Sequence, residues 1–365
     1  MQVMNRRLTP SDAAGLLALT LGLVVLATFS NEDPTTAMPL RTRTLLKTPR
    51  IIQRDGNVYS LMRGAWDFPP NPDEEAPAPS APSAGRECIQ PIWDYSFHDC
   101  CPVSDQPKLH PNLAAFEVSR LLEMWRNKNV VFVGDSITQQ MMNSLIRNLH
   151  AEGQYRNVDI TGQTTVKLGD YNAKVTTVKL GDYNATLQRV GNGGGISTVN
   201  GERMPGTYFD APSAFEEAVR SSDIAYVNFG LHMPGQSLSQ LDATFSYVRN
   251  VLEAELAVHP HKRFFYRTTF PQHFEQPDGT GGDYVSRASD ACVAPGVETS
   301  EHRTSQKARE AFRGSAVTVL DGTDFLAPRA DLHSLHNPGD CSHWCWDHNM
   351  WRGIFYLFAE AFEEQ

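Results

Sequence analysis

The chain has 365 residues, a 41 % hydrophobic share and a formal net charge of −10, with a pI of about 5.6. That share is ordinary for a globular protein and too low for a polytopic membrane protein. An acidic chain without basic runs is a poor nucleic-acid binder, because such binding draws most of its affinity from phosphate contacts, so no nucleic-acid partner is expected.

In chain order, the first feature is an apolar run from Ala13 to Phe29, preceded by Arg6 and Arg7. Basic residues ahead of an apolar run favour a cytoplasmic N-terminus. Residues 1–30 are read as a cytoplasmic tail and uncleaved signal anchor; a cleaved signal peptide is the alternative. Either delivers the remainder to the secretory lumen. Residues 31–85 carry Pro/Ala/Ser strings that bury no core, and are read as a disordered Pro-rich stem. Residues 86–365 are read as the catalytic domain, opening near Cys88. Six cysteines, Cys88, Cys100, Cys101, Cys292, Cys341 and Cys345, suit an oxidising lumen, with the pairing left open. Asn184-Ala185-Thr186 is a glycosylation sequon.

From Leu113 onward helical and strand patterns alternate. Leu113–Trp125 is helical in character, Asn129–Val133 is a strand, and Ile137, Met141, Leu145 and Leu149 mark one face of a helix over Ser136–His150. A helix at Ser213–Ser221 and a buried strand at Ile224–Phe229 follow. Leu238 to Leu256 is a long amphipathic helix. Arg263–Thr268 is a strand, Ser305–Arg313 a helix, Ala316–Leu320 a strand and Asp347–Glu364 a closing helix. The alternation predicts an α/β fold with a mainly parallel central sheet covered on both faces. Such sheets bind ligands beyond the carboxyl ends of their strands, so the loops after Val133, Phe229, Thr268 and Leu320 should carry the site. The string TTVKLGDYNA occurs at Thr164–Ala173 and again, unchanged, at Thr176–Ala185. The expected outcome is a longer hairpin or loop.

Val130-Val131-Phe132-Val133 leads into Gly134-Asp135-Ser136, and a helix follows. Ser136 then sits where free N–H groups of a helix N-terminus can stabilise an oxyanion. A serine hydroxyl needs a base to become a nucleophile. Asp340-Cys341-Ser342-His343-Trp344-Cys345 supplies one: the three-residue spacing lets Asp340 reach one ring nitrogen of His343, leaving the other for Ser136. Flanking disulfides would hold that loop still. The His/Cys content of residues 333–348 raises zinc as a rival, but its spacing fits no familiar zinc pattern, and no metal or cofactor is expected. Asn228 and Gly230, after the second strand, are candidate oxyanion donors beside the Ser136 N–H. Arg267, His273 and Trp344 are candidate substrate contacts, although buried tryptophans more often belong to a core.

These motifs resemble the PC-esterase group, relatives of the SGNH/GDSL hydrolases that include the plant trichome-birefringence-like polysaccharide O-acetyltransferases. The resemblance rests on Gly134-Asp135-Ser136, Asn228-Phe229-Gly230-Leu231-His232, Arg267 with Pro271 and His273-Phe274, and Asp340 to Cys345. It implies a flavodoxin-like three-layer α/β/α fold, an acyl-enzyme on Ser136 with Asp340 and His343 completing a triad, and a single-pass type II Golgi protein, secreted if the N-terminal segment is cleaved. The implied partners are a glycan or polysaccharide acceptor and an acetyl donor of unread identity. Trp346-Asp347-His348 replaces the usual Leu-Pro-Gly turn, and NFGLH replaces a Gly-His-Trp form, which points to a branch unlike the plant enzymes. The resulting expectation is a serine O-acyltransferase. A carbohydrate acetylesterase and a noncatalytic glycan-binding protein are the alternatives, and a metal-dependent hydrolase is the third.

Overall fold

The computed structural model describes residues 51–62, 65–67, 108–154, 158–168, 171–191, 212–231, 233, 237–284, 291–295, 303–333 and 339–364. The chain divides into two units, Met1–Thr48 and Pro49–Gln365, and every described residue lies in the second. The candidate anchor, Cys88, Cys100, Cys101 and His232 fall outside the described residues. Among the described residues no helix is long and apolar enough to cross a membrane.

The described residues begin with strands β1 (Ile52–Asp55), β2 (Val58–Leu61), β3 (Trp66–Asp67) and β4 (Lys108–Leu109), then short helices α1 (Pro111–Ala114) and α2 (Arg120–Met124). Strand β5 (Asn129–Gly134) enters helix α3 (Ser136–Ala151). Strands β6 (Val158–Leu168), β7 (Tyr171–Leu180) and β8 (Ala185–Gly191) follow. Then come α4 (Pro212–Ser221), β9 (Ile224–Val227), α5 (Leu238–Val258) and β10 (Arg263–Arg267). The remainder is β11 (Phe274–Glu275), β12 (Gly281–Gly282), α6 (Arg303–Phe312), β13 (Thr318–Asp321), α7 (Thr323–Leu326) and α8 (His348–Glu363). Among the described residues nine strands form one sheet in the order β1-β2-β13-β10-β9-β5-β8-β7-β6. The run from β2 through β13, β10, β9 and β5 to β8 is parallel, and only the two flanks are antiparallel.

The period-two alternation of strand side chains sorts the core into two layers. Val130, Phe132, Tyr226, Phe265 and Leu320 face one way and pack with residues of α2, α3 and α8. Val131, Val133, Ala225, Val227, Phe264, Tyr266 and Val319 face the other way, against α4, α5 and α6. Tyr226 stacks between Phe265, at 4.9 Å, and Phe358 of α8, at 4.6 Å. Each such side chain buried from water contributes about 1.5–3 kcal/mol. The fold is therefore the expected three-layer α/β/α arrangement around a mainly parallel sheet.

Three expectations change. The stretch read as a stem contains β1 and β2, and β2 pairs in parallel with β13, Val58 opposite Val319 and Tyr59 opposite Leu320. Val58, Tyr59 and Leu61 are buried, so this segment belongs to the core. A two-residue loop joins β1 to β2, and Gly56 takes φ +59° in it, as a tight hairpin turn requires. The helix expected over Leu113–Trp125 is two short ones, α1 and α2, with a break between them.

The repeat adds a strand rather than a loop. In the first copy Leu168 of β6 pairs with Tyr171 of β7. In the second copy Leu180 pairs with Ala185, so four residues, including a 3₁₀ turn at Gly181–Tyr183, connect β7 to β8. Twelve residues amount to one strand and one turn.

Candidate active site

Strand β5 ends in a turn that admits only glycine at position 134. A Cβ added there would lie 2.2 Å from Thr138 Oγ1 and 2.9 Å from the Asn228 carbonyl oxygen. Asp135 is the N-cap of α3, and its Oδ1 accepts from the backbone N–H of Ile137 at 3.0 Å and of Thr138 at 3.3 Å. Ser136 is the first helical residue, and its own N–H stays outside that cap.

The connection between β13 and α8 brings Asp340 and His343 to this point. Ser136 Oγ lies 2.7 Å from His343 Nε2. His343 Nδ1 lies 2.8 Å from Asp340 Oδ2 and 3.0 Å from Oδ1. Asp340 Oδ1 also accepts from the backbone N–H of Ser342 and of His343, each at 3.2 Å, so the loop closes around its own carboxylate. Burial acts to raise the Asp340 pKa, but the hydrogen bond and charge of His343, with the two backbone donors, bring it down to about 2. An ionised Asp340 assigns the proton of His343 to Nδ1, which leaves Nε2 to accept from the Ser136 hydroxyl. The His343 and Asp340 side chains are 21 % and 19 % exposed, enough for solvent or a substrate to reach them.

The loop is fixed from several sides. Cys341 is bonded to Cys292, and Cys345 is also disulfide-bonded. Both cysteines of the His/Cys-rich stretch are thus oxidised and supply no thiolate to a metal. Among the described residues no cluster of three or more His, Cys, Asp or Glu is arranged to hold a metal ion.

The remaining candidates lie at the strand ends or in the core. The Asn228 side chain donates to the Arg267 carbonyl at 2.8 Å and its backbone N–H to the Val133 carbonyl at 2.9 Å, tying the ends of β5, β9 and β10 together. Gly230 takes φ +156° against Thr269 and Thr304, where a Cβ would sit 2.0 Å from Thr269 Oγ1. The Ser136 N–H at the helix N-terminus is one donor that the geometry offers to an oxyanion. Arg267, read as a substrate contact, is buried under the nucleophile turn. Its guanidinium donates to the Thr268 carbonyl at 3.0 Å and to Thr138 Oγ1 at 3.4 Å, and lies 4.2 Å from the centre of the Phe270 ring. Burial lowers its pKa to about 10, against the raising effect of Asp135. His273 and Trp344 are core residues too, at 0 % and 2 % exposure. Arg267 and His273 meet backbone carbonyls from inside, and the Trp344 ring fills volume there.

Gln140 carried no sequence signal, and His333 was read only as part of the His/Cys-rich stretch. Gln140 meets the backbone of Trp344, and His333 Nδ1 lies 2.7 Å from the His343 carbonyl. His333 Nε2 lies in turn 2.6 Å from His273 Nδ1, and His273 Nε2 lies 2.9 Å from the Ala327 carbonyl. Burial holds both rings well below the ordinary histidine range. Two neutral rings own two N–H groups, so one of these three contacts lacks its hydrogen.

A parallel sheet with a serine at the mouth of a crossover helix, and an Asp-x-x-His loop folded onto it, is similar to the SGNH-type arrangement. Residues 113–240 match the model of PC-Esterase, described as a GDSL/SGNH-like acyl-esterase family found in Pmr5 and Cas1p. Protein trichome birefringence-like 13 of Arabidopsis thaliana is 25 % identical over 338 residues, covering 77 % of this chain and 79 % of the relative. Protein trichome birefringence-like 14 of the same plant is 22 % identical over 286 residues, covering 64 % and 70 %. The family match and these relatives together support the PC-esterase family of the SGNH superfamily. A solved structure titled "Peptidoglycan O-acetylesterase in action, 5 min" aligns at 12 % identity with a TM-score of 0.35, covering 69 % of this chain and 97 % of that one. The family supports esterase or acyl-transfer chemistry.

Proposed function

We propose that this protein is a serine-dependent O-acyltransferase that acetylates a glycan or polysaccharide through an acyl-enzyme on Ser136. The observation that carries the reading is the continuous line from Ser136 Oγ through His343 to the Asp340 carboxylate, with contacts of 2.7 and 2.8 Å. In the first step His343 Nε2 takes the Ser136 proton as Oγ attacks the acetyl carbonyl of the donor. The tetrahedral oxyanion rests against the Ser136 N–H at the α3 N-terminus. Asp340 stabilises the imidazolium, which then protonates the leaving group. In the second step His343 deprotonates the acceptor hydroxyl, and its attack on the acyl-enzyme releases the acetylated product. The same residues serve a carbohydrate acetylesterase when water is the acceptor. A sugar hydroxyl is preferred here on the family resemblance. The domain would work in the secretory lumen, held by an N-terminal anchor.

The test is intact-mass labelling of the oxidised protein with an activated acetyl ester, alongside Ser136→Ala. One acetyl adduct on Ser136, absent from the variant, establishes the serine acyl-enzyme. Discharge by added glycan faster than by water separates transfer from hydrolysis. A folded, oxidised wild-type protein that takes no adduct would overturn the reading in favour of glycan binding without catalysis.

A further inference from the structure

Asp340 fixes the orientation of the His343 ring, but it sits on the same loop and moves with it. It does not set the distance from His343 to Ser136. Gln140 of α3 is placed to do so. Its Nε2 donates to the Trp344 carbonyl at 2.7 Å, and its Oε1 accepts from the Trp344 N–H at 3.0 Å. One amide side chain thus grips both backbone polar groups of the residue that follows His343, as a neighbouring strand would. Gln140 is buried, 4 % exposed, so the grip is shielded from competing water. It lies four residues beyond Ser136 on α3, on the same face and about 6 Å along the axis. Nucleophile and anchor of the base therefore stand on one rigid helix, one turn apart.

Resting on the serine reading above, we infer that Gln140 is a positioning residue that sets the reach of His343 to Ser136. The side chain touches neither reacting atom. It acts by holding the Trp344 peptide, while the Trp344 ring is wedged 4.4 Å from His333 and 5.4 Å from His273. Misplacing a catalytic group by about 1 Å is enough to cost about 10²-fold in rate. The amide makes a specific forecast for a carboxyl replacement. A neutral Glu repeats both bonds, its carbonyl accepting from Trp344 N–H and its hydroxyl donating to Trp344 O. An ionised Glu keeps the first and repels the second. Burial favours the neutral form of such a carboxyl.

The experiment compares wild type, Gln140→Glu and Gln140→Met, each shown to be folded by its melting transition. The reaction is acylation of Ser136 by an activated acetyl ester. Gln140→Met is expected to acylate at least about 30-fold more slowly, with the half-saturating ester concentration within about twofold of wild type. The Gln140→Glu to wild-type rate ratio is expected to rise as pH is lowered from about 7.5 to about 5.5, as the buried carboxyl takes its proton. A folded Gln140→Met that acylates at the wild-type rate overturns the inference, as does a Gln140→Glu ratio that is flat with pH. A wild-type protein that does not acylate defeats the serine reading by itself. The positioning is then judged by the ¹⁵N shift of His343 Nε2. A Gln140→Met value that moves to that of Ser136→Ala supports it, and one that stays at the wild-type value overturns it.

Discussion

At the edge of the sheet that carries the repeat, every pairing joins neighbours in sequence: β6 with β7, and β7 with β8. At the end of the sheet that carries Ser136, the decisive contact joins residues 207 positions apart. The edge tolerates a duplication because one period supplies a whole strand and a whole turn, and the new strand pairs with its own copy. The Ser136 end has no such freedom. Its parts arrive on separate elements and are held by buried side chains and disulfides. Local register builds an expandable edge, while long-range packing builds a site that a small displacement disables.

The sharpest way to break that contrast is to remove the hydroxyl of the proposed nucleophile. Ser136→Ala should lower turnover by about 10⁴-fold or more while leaving the melting temperature nearly unchanged, since the removed hydroxyl is not part of the core. Asp340→Asn should lower turnover by about 10³-fold, because the amide no longer fixes the His343 tautomer or stabilises its cation. Steady-state kinetics on an activated ester reads both. Gly134→Ala should lower stability by about 2 kcal/mol in chemical denaturation and take activity with it. Its Cβ meets Thr138 at 2.2 Å and the rigid Asn228 carbonyl at 2.9 Å.

The pH dependence of stability separates two buried features of the same end. The Asp340 pKa is depressed, so its contribution is complete above the ordinary carboxylate range and is lost only as pH falls through about 2. His273 and His333 are held neutral by burial, whereas the unfolded chain protonates them below about 6.5. The melting temperature should therefore fall as pH is lowered from about 7 toward 4.5, by less in His273→Gln, with Asp340 contributing nothing in that window. The smallest effect belongs to the edge. Deleting residues 164–175 leaves one copy and removes one strand. It should cost about 1–2 kcal/mol and leave turnover within about twofold. A large loss of activity in that variant would abolish the distinction between the two regions.

Much of the site was legible because its chemistry sits in short strings with local geometry. Val130 to Ser136 reads as strand, turn and helix, and is. Asp340 and His343 are near enough in sequence that one turn joins carboxylate to ring. The substrate contacts were not legible. Arg267, His273 and Trp344 carry functional groups that suit either a pocket or a core, and residue type does not say which. Gln140 looked like any polar residue of an amphipathic helix until its partner, the backbone of Trp344, was in place.

Sequence alone determined the alternation of elements, the two-sided burial of the central strands, the strand-turn-helix at Ser136 and the closeness of Asp340 to His343, because these follow from periodicity and from spacings of a few residues. It also held a signal for β1 and β2, a Gly56-Asn57 turn followed by the apolar Val58, Tyr59 and Leu61, beneath the Pro-rich composition of the surrounding stretch. Tertiary structure alone decided that β2 completes the sheet beside β13, that one decapeptide pairs Leu168 with Tyr171 in one copy and Leu180 with Ala185 in the other, and which polar side chains are interior. Those outcomes depend on what lies opposite each residue, and pairing partners, burial and the depth of a carbonyl exist only once distant segments have met.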